Sequence, residues 1–347
     1  MRDRYGLQLA IVLILMVLIL TACTGSTPPD EPVPTPLPPT DAPEPDPPTA
    51  EPEVQSAWTT FPGAKIISGM AFDLEGNVWG VSEVGVFETN IQDLTFKQHT
   101  IEDGLLTNES TAIHFTTDGD TWIGSKRKGI ARFDGSTWTY YTTEDGLGDN
   151  TPYTFIEDSK GGLWVGFAEY NGGVGYFDGE TWISFESYEE LGSGTVFDLD
   201  LSSNGILWIA TQSGIIKYDG EIWTRYNTND GLPELFITCI AVGPDGSVWA
   251  GTSDHGAIYF DGETWTTYSE EDGLISKYVY GVAVDLKGGA WIGTAHGVSY
   301  YLDGVWTNYT KEDGLPANKV GQIIVDENGM VWFGTKGGGI VRFDPSW

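Results

Sequence analysis

The chain has little positive charge. Lys and Arg number 17 against 50 Asp and Glu, a formal net charge of −33 over 347 residues. A nucleic-acid binder needs a basic footprint to displace counterions from phosphates, so that partner class is excluded. Histidine is scarce as well, with four copies, and cysteine has two. No His-Glu-x-x-His, Gly-x-Ser-x-Gly, Walker loop or complete EF-hand loop occurs. Asp118-Gly119-Asp120 resembles a calcium-loop fragment but lacks the later ligands and the closing Glu. His255 and His296 fall in equivalent turns of the repeat described below, and no third ligand accompanies them in sequence. No metal, no cofactor and no catalytic residue is therefore expected.

Long apolar runs are equally rare. The one example, Leu9 to Leu20, follows Arg2 and Arg4 and is too short to span a bilayer comfortably. It suits the apolar region of a signal peptide, placed at residues 1–22. The run ends in Leu20-Thr21-Ala22-Cys23, which resembles the lipobox of bacterial lipoproteins and makes Cys23 the lipidation site. Residues 23–55 then read as a stalk. Twelve of the 18 prolines and seven acids lie between Thr24 and Gln55, without a single Lys or Arg. Such a segment cannot bury enough apolar surface to offset its conformational entropy. A lipid-anchored protein outside the cytoplasm, on the cell surface or in the periplasm, is the expected location, with the membrane as its first partner. With Cys23 lipidated, Cys239 has no partner, and its apolar surroundings Phe236 to Val242 predict a buried, inert thiol.

Residues 56–347 repeat one unit. A Trp-x-Gly-like element recurs at Trp79, Trp122, Trp164, Trp208, Trp249, Trp291 and Trp332, at intervals of 43, 42, 44, 41, 42 and 41 residues. That period admits helical arrays or β-propeller blades. The local pattern decides for blades. Each copy holds four short β-rich runs, joined by Asp-x-x-Gly turns such as Asp73 to Gly76 and by Asp-Gly hairpins at Asp134, Asp178, Asp219, Asp261 and Asp303. The predicted fold is all-β, a single seven-bladed propeller of four-stranded antiparallel blades. The seventh copy runs out at Trp347 before an outer strand, while Trp58-Thr59-Thr60-Phe61 matches that strand's pattern. The N-terminal strand is thus expected to close the last blade and remove a sheet edge.

The recurring Asp-x-x-Gly-x-Val/Leu-Trp-x-Gly-Thr, Gly-Val/Ile-x-x-Phe/Tyr-Asp-Gly, Trp-Thr-x-Tyr and Glu-Asp-Gly-Leu elements resemble the two-component regulator propeller repeat. Asp-Gly-Leu is kept at Asp103, Asp145, Asp230, Asp272 and Asp313. The resemblance covers residues 57 to 347 and implies the extracytoplasmic sensor region of bacterial hybrid histidine kinases, here without a kinase. It implies a ligand-binding sensory module, with glycan fragments or another extracellular cue as the ligand. A protein-interaction scaffold for a membrane sensor is the alternative, and a propeller lyase or hydrolase the third reading.

Repetition marks scaffold, so function is sought where the copies differ. With strands lettered A to D from the centre outward, the B–C turns and D–A loops share one face, and these connections vary most. Blade two carries Lys126, Arg127 and Lys128 in its B–C turn. Blade three has a lengthened turn with Glu169, Tyr170 and Asn171, and Asn150 and Tyr153 lie in the connection between. These eight residues form the predicted ligand site, an off-centre seat over blades two to four for an acidic oligosaccharide or similar anion.

Overall fold

The computed structural model describes residues 56–346 apart from 62, 169–171, 186–190 and 193. The predicted signal peptide and stalk, with Cys23, lie outside the described residues, as do Glu169, Tyr170, Asn171 and Trp347. Among the described residues no helix is long and apolar enough to cross a membrane.

Seven four-stranded antiparallel sheets follow one another along the chain. Blade one shows the pattern: strand A is Gly69–Phe72, B is Val78–Ser82, C is Gly85–Asn90 and D is Thr95–His99. Blade seven takes its inner three strands from Val320–Val325, Val331–Thr335 and Gly339–Phe343, and its outer strand from Trp58–Phe61. The pairs run Trp58↔Phe343, Thr59↔Arg342, Thr60↔Val341 and Phe61↔Ile340, so the expected closure is the one observed.

Each connection has a local cause. In the A–B turn of blade six, Asp285 accepts the Lys287 and Gly289 amides at 2.9 Å and the Tyr300 hydroxyl at 2.9 Å. Asp73 and Asp326 hold their turns in the same way and also accept from the indoles of Trp79 and Trp332, at 2.9 and 3.1 Å. Blade two has Thr116 at this place, and the Trp122 indole N–H is left without an acceptor among the described residues. At the head of strand C, the Gly of the Gly-Val/Ile element is required by space and by conformation. Gly256 has φ 93°, and a Cβ there would sit 2.1 Å from the Tyr268 carbonyl oxygen. The Asp-Gly pairs all lie in C–D hairpins, but their turns differ. Asp303 and Gly304 both have positive φ, 51° and 83°, in a two-residue turn, whereas at Asp134 only the following Gly135 does and the loop is longer.

The Asp-Gly-Leu elements form single 3-10 turns in the D–A loops. Thr100, Thr142, Asn227, Ser269 and Thr310 cap them, each with its backbone N–H held by the third-position Asp. The glycine that follows is left-handed in all five, with φ from 103° to 115°. The leucines Leu105, Leu147, Leu232, Leu274 and Leu315 are buried between blades. The three-to-four loop lacks the motif, yet Leu191 is fully buried in the same role. Accordingly the core is not central. It consists of seven clusters, each joining neighbouring blades, as where Trp208 and Ile215 of blade four pack with Val248 and Phe260 of blade five.

Candidate functional site

Packing between blades leaves the axis open, and a cavity of about 840 Å³ runs along it, walled by the seven A strands. One irregularity shapes its mouth. In blades two to seven the A–B pairing slips by one residue near the start of strand A, between Ser110/Ala112, Pro152/Thr154, Val196/Asp198, Ile237/Cys239, Val279/Gly281 and Val320/Gln322. A β-bulge of this kind frees one residue from the ladder and re-aims its side chain. The freed residues are Thr111, Tyr153, Phe197, Thr238, Tyr280 and Gly321. All but Thr111 line the cavity.

Two of these positions serve the ring itself. Thr111 donates its hydroxyl to the Pro152 carbonyl at 2.5 Å and Thr238 to the Val279 carbonyl at 2.9 Å, each reaching the next blade. The aromatic ones do not. Tyr153 meets Phe197 edge-on at 6.4 Å, and Phe197 lies 4.8 Å from Phe236. Tyr153 is 46% exposed despite this packing, so it presents an apolar face to the opening.

Below the aromatics, strand A of blade four (Val196–Leu201) turns two carboxylates toward blade five. Asp198 accepts the Leu199 and Ile240 amides, both at 3.0 Å, while Asp200 accepts those of Leu201 at 2.8 Å and Val242 at 2.7 Å. They satisfy backbone donors on the inner edge of the neighbouring strand, which has no further strand to pair with. Burial in the channel wall pushes the Asp198 carboxyl up to about 7, helped by Asp200, and that of Asp200 up to about 6. Cys239 is the buried thiol expected, and its burial pushes it up to about 12.

The opposite side of the mouth is cationic. Lys319 Nζ lies 4.5 Å from the Tyr280 ring centroid and Lys336 Nζ 5.8 Å from the same centroid. The Lys336 amide donates to the Lys319 carbonyl at 2.8 Å, which fixes the two backbones side by side.

The predicted off-centre residues divide. Lys126 is paired with Glu109 at 2.9 Å, and Arg127 adopts φ 59° in the tight B–C turn. Lys128 is exposed. Arg127 and Asn150 share a shallow pocket of about 360 Å³ with Asp149 and Thr151. Asn150 is part of the scaffold. Its side-chain oxygen accepts the Thr143 amide at 3.0 Å, as Asn108 and Asn318 do for Ile101 and Lys311 in their own loops. Tyr153 belongs to the channel mouth. His255 gains neighbours that the sequence did not reveal. Its Nδ1 is 2.6 Å from Asp254 and 3.5 Å from Glu234, and Glu234 also accepts from the Ser253 hydroxyl and the Asp254 amide, tying the B–C turn to the D–A loop.

Residues 231–254 and 314–337 match the family described as two component regulator propeller. No curated protein matches the sequence. Among solved structures, the extracellular domain of a putative hybrid two component system from B. thetaiotaomicron is 20% identical with a TM-score of 0.72, over 84% of this chain and 41% of that one. The chain therefore spans less than half the length of that structure. Virginiamycin B lyase from Staphylococcus aureus is 16% identical at TM-score 0.67, covering 82% of this chain and 97% of the lyase. YCF48 from Cyanidioschyzon merolae is 14% identical at TM-score 0.65, over 84% of this chain and 99% of its own. Likeness at these identities establishes the fold, and the sequence match is confined to those two stretches. The chain is a seven-bladed β-propeller, two stretches of which match the two component regulator propeller repeat.

Proposed function

We propose that this protein is a lipid-anchored, extracytoplasmic sensory propeller that captures a ligand in the mouth of its central channel and does not turn it over. The observation that carries this reading is the bulge ring: the one irregularity repeated in six blades aims Tyr153, Phe197 and Tyr280 into the same cavity. Aromatic faces around a concave, partly polar space suit a glycan fragment, whose sugar rings stack on them. Among the described residues that line the channel there is no histidine, and of its three carboxylates Asp198 and Asp200 are engaged with backbone donors while Glu83 lies in the B–C turn of blade one. Replacing Tyr153 and Phe197 together with Ala should weaken glycan binding at least about tenfold in calorimetry, the loss expected for two stacking faces. Unchanged affinity in a folded variant defeats this site.

A second reading keeps the ligand off-centre, supported by the pocket at Arg127, Asp149 and Asn150. Changing Lys126, Arg127 and Lys128 together to Ala weakens binding under that reading and leaves it intact under the first. A protein partner, such as a membrane sensor, is the remaining alternative, and a propeller of similar fold, YCF48, has been solved bound to D1 peptide. The anchor is tested separately. Cys23→Ser should shift the protein from the detergent phase to the aqueous phase, and unaltered partitioning would remove the lipid from the proposal.

A further inference from the structure

We infer that Lys319 and Lys336 form an anion seat on the blade-seven side of the channel mouth, which takes the carboxylate or sulfate of an acidic sugar. This rests on the channel reading above and names the ligand's chemistry.

The first argument is the convergence of two cations on one ring. Among the described residues most lysines lack a carboxylate within 4 Å, and what sets this pair apart is that two ammonium groups share one aromatic ring. Lys126 has Glu109 at 2.9 Å, but neither Lys319 nor Lys336 has an acidic group within 4 Å among the described residues. Both instead lie near the Tyr280 ring, which attracts them through its face. Two like charges held over one ring repel each other, and a bound anion relieves that repulsion. Consistent with this, burial and the neighbouring Lys319 charge lower the Lys336 pKa.

Space at the seat is the second argument. Blade seven has Gly321 at the bulge position where blades three, four and six have Tyr153, Phe197 and Tyr280. A Cβ on Gly321 would already lie 3.6 Å from Lys336 Cε. An aromatic side chain there would occupy the volume over which the lysine stem runs. Its absence leaves Lys336 on the wall of the open cavity, with Lys319 beside it.

Third, the seat is preorganised. Lys336 lies in the B–C turn of blade seven. Its amide donates to Lys319, and the next residue, Gly337, donates to the Lys65 carbonyl at 2.6 Å. The turn is thereby tied both to the preceding D–A loop and to the segment that follows the closing strand. Little ordering cost remains for a ligand to meet.

Matched probes test this: an oligogalacturonate, its fully methyl-esterified neutral form, a sulfated chondroitin disaccharide and inorganic sulfate. Calorimetry should show the acidic sugars bound at least about tenfold more tightly than the ester, with affinity that falls as salt rises. Lys319→Gln/Lys336→Gln, checked for an unchanged melting temperature, should lose that preference, and Lys319→Arg/Lys336→Arg should keep it. Equal affinity for the acid and ester forms, or undiminished acid binding in the Gln variant, overturns the seat. If that equal binding is lost in Tyr153→Ala/Phe197→Ala, the channel reading stands and only the anion seat falls. Failure of every sugar to bind removes both. Sulfate bound as tightly as the oligomers rules out a site built for a sugar.

Discussion

A chain lacking residues 56–61 should melt about 8 °C lower than the full propeller and should self-associate. Trp58 packs 4.5 Å from Phe343 and 5.7 Å from Phe333, and Phe61 lies 5.1 Å from Trp332 with 2% of its surface exposed. Removing a buried Trp or Phe costs about 3–5 kcal/mol each in a core that cannot collapse, and the two losses share neighbours, so about 5 kcal/mol in total is a fair expectation. In a propeller of this size each kcal/mol corresponds to about 1.6 °C. The deletion also uncovers the whole edge of Gly339–Phe343, which is a template for another chain. Scanning calorimetry and light scattering read both effects. An unshifted melt in a monomeric protein would mean that blade seven is held by something other than this strand.

The second large effect is a dependence on pH set by the channel wall. Asp198 and Asp200 have folded-state pKa values of about 7 and about 6, above the 3.8 of the free side chain. The folded protein therefore holds protons that the unfolded chain has lost. Their contribution is fully present below about pH 4 and disappears as pH rises through 6 and 7, by on the order of several kcal/mol for the pair. Tyr153 and Cys239 are the titratable groups beside Asp198, and each is pushed upward, so neither ionises in that window. Asp198→Asn/Asp200→Asn mimics the neutral pair. The variant should match the wild type near pH 4.5 and melt higher than it at pH 8. Parallel curves would show that both acids stay ionised across the window.

The fold could be read because every structural device is spelled in adjacent residues and then repeated. Asp-x-x-Gly is a turn plus an acceptor for the blade's own tryptophan, and Glu-Asp-Gly-Leu is a capped turn plus a plug. The period of the tryptophans alone gives the blade count. Most of the channel mouth escapes such reading because its members are single residues one or two repeats apart. The sequence singles out Tyr153 only for the off-centre seat, and Phe197 and Tyr280 look like ordinary strand residues until the bulge takes them out of the ladder. Lys319 and Lys336 are separated by a whole A–B hairpin and meet only because the B–C turn bends back beside the D–A loop. Lys126, Arg127 and Lys128 drew attention by contiguity, which says nothing about Glu109 waiting opposite. The usable signal was there, in the comparison of equivalent positions: where Thr111 and Thr238 bond to the next blade, three copies carry aromatics and one carries glycine.

Closure by the first strand also fixes when the ring can form. Trp58 pairs with Phe343, so the propeller's first strand finds its partner only when the last residues of the propeller have emerged. Blades one to six can each assemble as their four consecutive strands appear, whereas blade seven must wait for both ends. The loop-closure entropy of so long a span grows only with the logarithm of its length, so the final step is feasible but late. Until it happens, two blades' worth of edge and the faces of Trp58 and Phe61 stay uncovered, the state in which a growing chain most needs shielding from its neighbours. The same arrangement checks the product for length: a chain that stops before Gly339–Phe343 leaves its first strand with nothing to latch onto.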